Sequence, residues 1–238
     1  MKRKIKTIFK LLIYKIFNSL VIKNSIHLSD FFISLGYAIK NEAMFKYDDG
    51  PKVDWFKLDR LDMHGQLADQ LIGRDSKIVY LEFGVYKGQT LELWVMNNIN
   101  QKSSFVGFDT FSGIPEDWGN VKKGSFSAKG ELPKINDTRC SFQVGLIQDT
   151  LPLFLKDFSK GTRKVIHIDV DLYNASLITL INLNPYLEKD DIIIFDDFFT
   201  LTKAKFEFRA YLDYLSLFGT KLIPLLSNRN GHFVAKIG

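Results

Sequence analysis

The chain has 238 residues, 46% apolar and 25% charged, which suits one large α/β domain whose core needs no covalent staple. A single cysteine, Cys140, excludes an internal disulfide and fits a reducing compartment. The net charge is +5, but residues 1–29 carry Lys2, Arg3, Lys4, Lys6, Lys10, Lys15 and Lys23 with no acid, so the other 209 residues sum to −2. A body of that sign lacks the clustered bases of a nucleic-acid groove, and no nucleic-acid partner is expected.

Residues 1–55 read as a basic amphipathic helical arm, with Ile5, Ile8, Phe9, Leu12, Ile16 and Leu20 at helical spacing. Lys15 breaks its longest apolar run, which is then too short to span a bilayer. No small-residue cleavage site follows, so a secretory signal is not expected. Two placements stay open for the arm. It could lie on an anionic membrane surface, or pack on its own domain or on a second copy in a homo-oligomer. The expected location is cytoplasmic, peripheral to the membrane in the first case. The polar turn YDDGPKVD (47–54) ends the arm.

In the domain that follows (56–238), strand and helix patterns alternate. KIVYLEF (77–83), SFVGFD (104–109), CSFQVGLI (140–147), KVIHIDVD (164–171) and DIIIFDDF (191–198) read as strands. Helical patterns occupy 88–98, 151–158, a stretch from about Asn174, and 205–218. KLIPLLS and HFVAKIG close the chain as a hairpin that adds an antiparallel strand at one edge. The fold class is therefore α/β: a Rossmann-like, doubly wound, mostly parallel seven-stranded sheet with a C-terminal antiparallel hairpin. In such sheets ligands sit outside the carboxyl ends of the strands, which selects Glu82–Gly88, Asp109, Gly145–Gln148, Asp169, Asp196 and Asp197.

The turn after the first strand reads E-x-G-x-x-x-G through Glu82, Gly84 and Gly88. Gly84 allows a tight turn and close ligand approach, and the amides around Gly88 would point at a ligand carboxylate. The spacing is not G-x-G-x-x-G, and Lys87 precedes the second glycine, so a phosphate cradle is disfavoured. Asp109 ends the second strand, where a carboxylate can accept both ribose hydroxyls; a solvated acid or helix cap is the plainer alternative. The third strand end offers Gln148 to an adenine edge, beside Leu146 and Ile147.

Asp169, Asp196 and Asp197 end two strands that should be neighbours. Three converging carboxylates repel unless a positive charge sits among them, and hard oxygen donors select Mg²⁺ or a similar divalent cation. His167 alternates with Asp169 and could face the site, although a packing role is more ordinary. His27, His64 and His232 lack metal-ligand spacing, so zinc is not expected. Residues 112–139 are too long for a plain connection and read as a lid insertion. Trp118 and Phe126 there suit an apolar sugar face. Lys122, Lys123 and Lys129 would suit an acidic sugar, or simply face water.

LEFGVYKGQT, FVGFDTFSGIPEDW, GLIQDTLP and HIDVDLYNAS together resemble the class I S-adenosylmethionine-dependent methyltransferases, most of all the macrocin O-methyltransferase type, over about residues 60–238. The resemblance implies that Gly84, Tyr86 and Thr90, in the turn begun by Glu82, surround the methionine moiety. It likewise gives the ribose to Asp109 and the adenine to Gly145, Ile147 and Gln148. Asp169, Asp196 and Asp197 match the metal-ligand positions, with Asp169 or Asp171 as the proton acceptor. Several relatives carry Lys or His where this chain has Leu172, so that base is absent. The activity implied is metal-dependent methyl transfer to a hydroxyl of a sugar or small natural product. The alternatives are a metal-independent enzyme, or a non-catalytic protein of the same fold docking a glycan-assembly complex.

Overall fold

The computed structural model describes residues 58–198, 206–227 and 231–238. The basic arm and its closing turn lie outside the described residues. Helix α1 (Arg60–Gln66) begins at Asp59, whose side chain accepts the Asp62 N–H, and continues as a π-helical turn, Leu67–Ile72. Met63, Leu67, Ala68 and Ile72 recur at helical spacing and are buried. There follow β1 (Ile78–Phe83), α2 (Gln89–Asn97), β2 (Ser104–Asp109), β3 (Cys140–Val144), α3 (Ile147–Phe154), β4 (Arg163–Ile168), α4 (Tyr173–Leu183), β5 (Ile192–Phe195), α5 (Glu207–Phe218), β6 (Leu222–Ser227) and β7 (Phe233–Ile237).

The seven strands form one sheet in the order β3-β2-β1-β4-β5-β7-β6. β1 through β5 pair in parallel, and β7 runs antiparallel to both β5 and β6. The antiparallel strand is thus inserted between β5 and β6, and β6 is the edge. This corrects the expectation of an antiparallel strand at the rim. The chain leaves β1 for β2 and β3, then crosses back to β4, so the direction of winding reverses between β1 and β4.

Strand residues alternate between two cores, as the two-residue period of a pleated sheet requires. Leu81, Phe83, Val106, Phe108, Ile166 and Ile168 meet α3, α4 and α5 on one face. Ile78, Tyr80, Phe105, Val165, Ile192 and Ile194 meet α1 and α2 on the other. Helix α3 starts four residues earlier than the sequence pattern suggested, despite Pro152 inside it. The stripe Ile147, Leu151 and Leu155 is buried at four-residue spacing, and that tertiary burial outweighs the hydrogen bond proline cannot make. Correspondingly β3 ends at Val144, and Gly145 (φ +142) breaks the strand.

The insertion between β2 and β3 is folded on itself by backbone hydrogen bonds, including Ile114 N–H to Ser125 O, Gly124 N–H to Ile114 O and a Trp118–Val121 bridge. Its last residues are stapled by Arg139. The guanidinium donates to the carbonyls of Asn98 (2.7 Å), Asn100 (3.0 Å) and Val95 (2.9 Å), and pairs with Asp137 at 2.7 Å. It thereby satisfies carbonyls that the end of α2 leaves open. We predict that Arg139→Ala costs about 1.5–3 kcal/mol of stability, the range for hydrogen bonds to a charged group. Arg139→Lys should rescue little, because a single ammonium cannot reproduce the planar fork. Urea unfolding checks this; a midpoint within error of wild type for the alanine variant would refute the staple.

Candidate active site

A cavity of about 380 Å³ opens at the carboxyl ends of the strands. That is within the size range of small-molecule sites. It runs from the β3–α3 loop (Gly145, Leu146, Ile147, Gln148), past the β1–α2 turn and Asp109, to Asp169, Asp171, Asp196 and Asp197. Trp118 and Phe126 from the insertion cover it, whereas Lys122, Lys123 and Lys129 do not line it. Lys122 instead pairs with Asp117 at 2.7 Å on the surface.

Most residues singled out from sequence line this one cavity: Gly84, Tyr86, Gly88, Thr90, Asp109, Gly145, Ile147, Gln148, and the four aspartates. Their local roles differ from expectation in three places. Glu82 does not line the cavity. Its side chain is buried beneath the sheet edge, where Tyr80 Oη donates to its Oε2 at 2.7 Å and His167 Nδ1 lies 3.6 Å away. Glu82 shares a strand face with Tyr80, and the turn begins only after it. The N–H of Gly88 is already donated to Val85 O at 2.8 Å, so it is not aimed at a ligand. Gly88 sits at φ +78, and a Cβ there would meet Pro133 at 2.6 Å, so the end of the insertion seats directly on this turn.

Asp109 is the third case. Its Oδ2 accepts the N–H groups of Val85 and Tyr86, and its Oδ1 accepts that of Phe111, all at 2.7 Å. A carboxylate offers about four acceptor sites. Three are therefore committed to shaping the two loops around the cavity, and one remains for a ligand hydroxyl. Gly84, at φ +91, is demanded by packing: a Cβ would lie 1.8 Å from the carbonyl oxygen of Asp169. The glycine turn and the first acid are locked together where the winding reverses.

Asp169 and Asp196–Asp197 lie directly beyond the neighbouring strands β4 and β5, but among the described residues these three carboxylates do not form a group with ligand atoms within 4.8 Å of one another. The positive charge among them comes from the chain itself. Arg60, on α1, pairs through Nη2 with Asp169 Oδ2 and places Nε 3.4 Å from Asp196 Oδ1. His167 Nε2 is 3.6 Å, and His232 Nε2 2.9 Å, from the same Asp196 oxygen. Burial alone would depress His167, but the contacts with Asp196 and Glu82 outweigh it and hold it at about 9, a cation at neutral pH. Burial, then the charge of Asp196, push Asp169 up to about 7 against the pull of Arg60. For Asp196 burial is opposed by His167, His232 and Arg60, which keep it well below the usual carboxylate range. Beneath them, Glu207 accepts the Asp197 N–H at 3.0 Å; burial, then Asp197, raise its carboxyl well above the ordinary range.

Arg60, His232 and Glu207 carried no sequence signal. They come from distant elements and belong to no motif. His64 is a fourth such residue. Among the described residues, one side-chain group, His64, His167 and Asp196, brings candidate ligand atoms within 4.8 Å of one another. Trp94 Nε1, which can only donate, donates to His64 Nδ1 at 3.0 Å. The neutral ring must then carry its proton on Nε2, so His64 is a donor there and not a metal ligand. Burial, then His167, hold this ring in the neutral form.

Neither a protein-family model nor a curated protein sequence matches the chain. Solved structures do match. The chain is similar to CalS11, a calicheamicin methyltransferase, at 22% identity and a TM-score of 0.57, over 74% of this chain and 76% of that one. It is similar to the O-methyltransferase NovP at 20% identity and a TM-score of 0.54, over 89% and 98%. The apo form of CalS11, a TDP-rhamnose 3'-O-methyltransferase, matches at 23% identity and a TM-score of 0.50, over 74% and 76%. The chain therefore shares the Rossmann-like α/β fold of these methyltransferases. Among the described residues no helix is long and apolar enough to cross a membrane.

Proposed function

We propose that the chain transfers a methyl group from S-adenosylmethionine to a hydroxyl of a sugar or small natural product. The observation that carries this is the single cavity joining the β1–α2 turn and the β3–α3 loop at one end to four aspartates at the other. The sugar substrate of CalS11 supports the choice of acceptor, as do Trp118 and Phe126 over the cavity.

Gly84, Tyr86 and Thr90 would surround the methionine moiety. The free acceptor site of Asp109 would take one ribose hydroxyl, and Gly145, Ile147 and Gln148 would line the adenine. The acceptor hydroxyl then lies toward Asp169 and Asp171, one of which takes its proton. The oxygen forms a bond to the methyl carbon as the carbon–sulfur bond breaks, and the electron pair returns to sulfur. Holding donor and acceptor in line is the main task of the walls.

The donor chemistry of Asp169, Asp196 and Asp197 fits a hard divalent cation: carboxylate oxygens alone, on the cavity wall. In this structure the Arg60 guanidinium sits between two of them, Asp169 and Asp196. Bound there, a divalent cation would supply Lewis-acid polarisation of the acceptor oxygen. A second reading draws on the same Arg60: the enzyme is metal-independent, and the guanidinium stabilises the developing oxygen charge.

Product formation from a panel of nucleotide-linked sugars, with Mg²⁺ or with excess chelator, tests both. Chelator should abolish turnover. Asp196→Asn should weaken metal binding and slow turnover by about tenfold or more while S-adenosylmethionine still binds. Full activity in chelator would favour the Arg60 reading. Tight NAD binding with no affinity for S-adenosylmethionine would overturn both.

A further inference from the structure

Arg60 opens helix α1, with Asp59 as the cap. The first turn of a helix disfavours a cation, because the unpaired N–H groups there carry partial positive charge. What holds the guanidinium is the pair of acids, Asp169 and Asp196, reached from 109 and 136 residues away. The three groups differ in exposure: the Arg60 side chain is 38% accessible, those of Asp169 and Asp196 are 15% and 12%. The acids are fixed in the wall by β4 and β5. The arginine is the most exposed of the three.

We infer that Arg60 is a built-in counter-ion that occupies the acids in competition with a divalent cation, so that metal loading and release of Arg60 are one event. This rests on the divalent-cation reading above. A guanidinium wedged between Asp169 and Asp196 and a doubly charged ion on the same oxygens repel each other strongly at such distances. The two states exclude each other. The arginine-paired state keeps buried carboxylates compensated before the metal arrives, since a buried charge left alone is costly. It also lowers the apparent metal affinity by the fraction of molecules in which the acids are free. The same exclusion moves a cationic side chain out of the acceptor end of the cavity only once the metal is bound.

The test is Mn²⁺ binding to the full chain, read from the loss of the free-ion electron paramagnetic resonance signal. Wild type is compared with Arg60→Gln and Arg60→Lys. If the paired state holds nine-tenths or more of the wild-type population, Arg60→Gln should bind Mn²⁺ about tenfold more tightly or better. Arg60→Lys, which keeps the charge, should stay near wild type. Equal or weaker binding by Arg60→Gln overturns the competition while leaving the metal reading intact. No Mn²⁺ binding by any of the three overturns both. A second measurement needs no variant: phenylglyoxal labels accessible arginine, and Arg60 labelling in the wild-type chain, followed by mass spectrometry, should rise when Mn²⁺ is added. Labelling that stays constant or falls overturns the proposal.

Discussion

Gly84→Ala is expected to destabilise the protein by about 3–5 kcal/mol and to abolish cofactor binding. Two independent penalties combine. The residue sits at φ +91, where an L side chain is strained by about 1–2 kcal/mol. The added Cβ would also lie 1.8 Å from the backbone oxygen of Asp169 and 2.7 Å from its carbonyl carbon. No rotamer change relieves a clash with backbone, and forced overpacking costs about 1–3 kcal/mol or more. The surrounding backbone cannot drift freely either. Asp169 N–H donates to Phe83 O at 2.8 Å, and Gly84 N–H to Phe108 O at 2.9 Å, so three strand ends are tied together. Calorimetry should show a melting temperature lower by on the order of 10 °C. Gly65→Ala is the control: it lies inside α1 with nothing within 4 Å of the new Cβ, and should be neutral or stabilising by about 0.5–1 kcal/mol. Equal melting temperatures for Gly84→Ala and wild type would show that β1 and β4 are not locked at this point.

Asp109→Asn should weaken S-adenosylmethionine binding markedly, as Asp109→Ala should, although asparagine is nearly the same shape. All three bonds to Asp109 come from N–H donors, at Val85, Tyr86 and Phe111. An asparagine amide has one accepting end. Whichever way it turns, its NH₂ faces a backbone N–H, which loses its acceptor. Each unmet donor costs about 1–3 kcal/mol, and the turn that shapes the cavity opens. A loss of about 2–3 kcal/mol in binding corresponds to a dissociation constant roughly thirtyfold to 150-fold larger. If Asp109 only held the ribose, the asparagine oxygen could still accept a hydroxyl and the variant would bind nearly as well as wild type. Titration calorimetry on the two variants separates these roles: tight binding by Asp109→Asn alone would return Asp109 to a purely ribose-holding part.

These two positions show how sequence and structure divide the information. Gly84 and Asp109 were legible as important because chemistry-bearing residues at strand ends are few, and the strand–turn–helix pattern puts them at one edge. Their strongest partners were not legible. Gly84 answers to the Asp169 carbonyl 85 positions on, and Asp109 to backbone amides of the preceding loop. Glu82 sits one residue before the turn and faces the opposite core, because a strand changes face at every residue.

By itself the sequence determined the seven-strand α/β class, the helices on both faces of the sheet and the placing of Asp169, Asp196 and Asp197 at the ends of two strands. Apolar runs and their periods are local properties, and the ends of parallel strands are bound to share an edge. Only the tertiary structure decided the place of β7 between β5 and β6, the early start of α3, and the cations among the acids. Arg60 comes from the first described helix, and His232 and Glu207 from the last third of the chain, so their meeting depends on packing. The charge argument from sequence asked for a positive partner among the acids, and Arg60 pairs with Asp169 and Asp196. What it could not contain is which partner, because a guanidinium 109 residues away leaves no trace near Asp169.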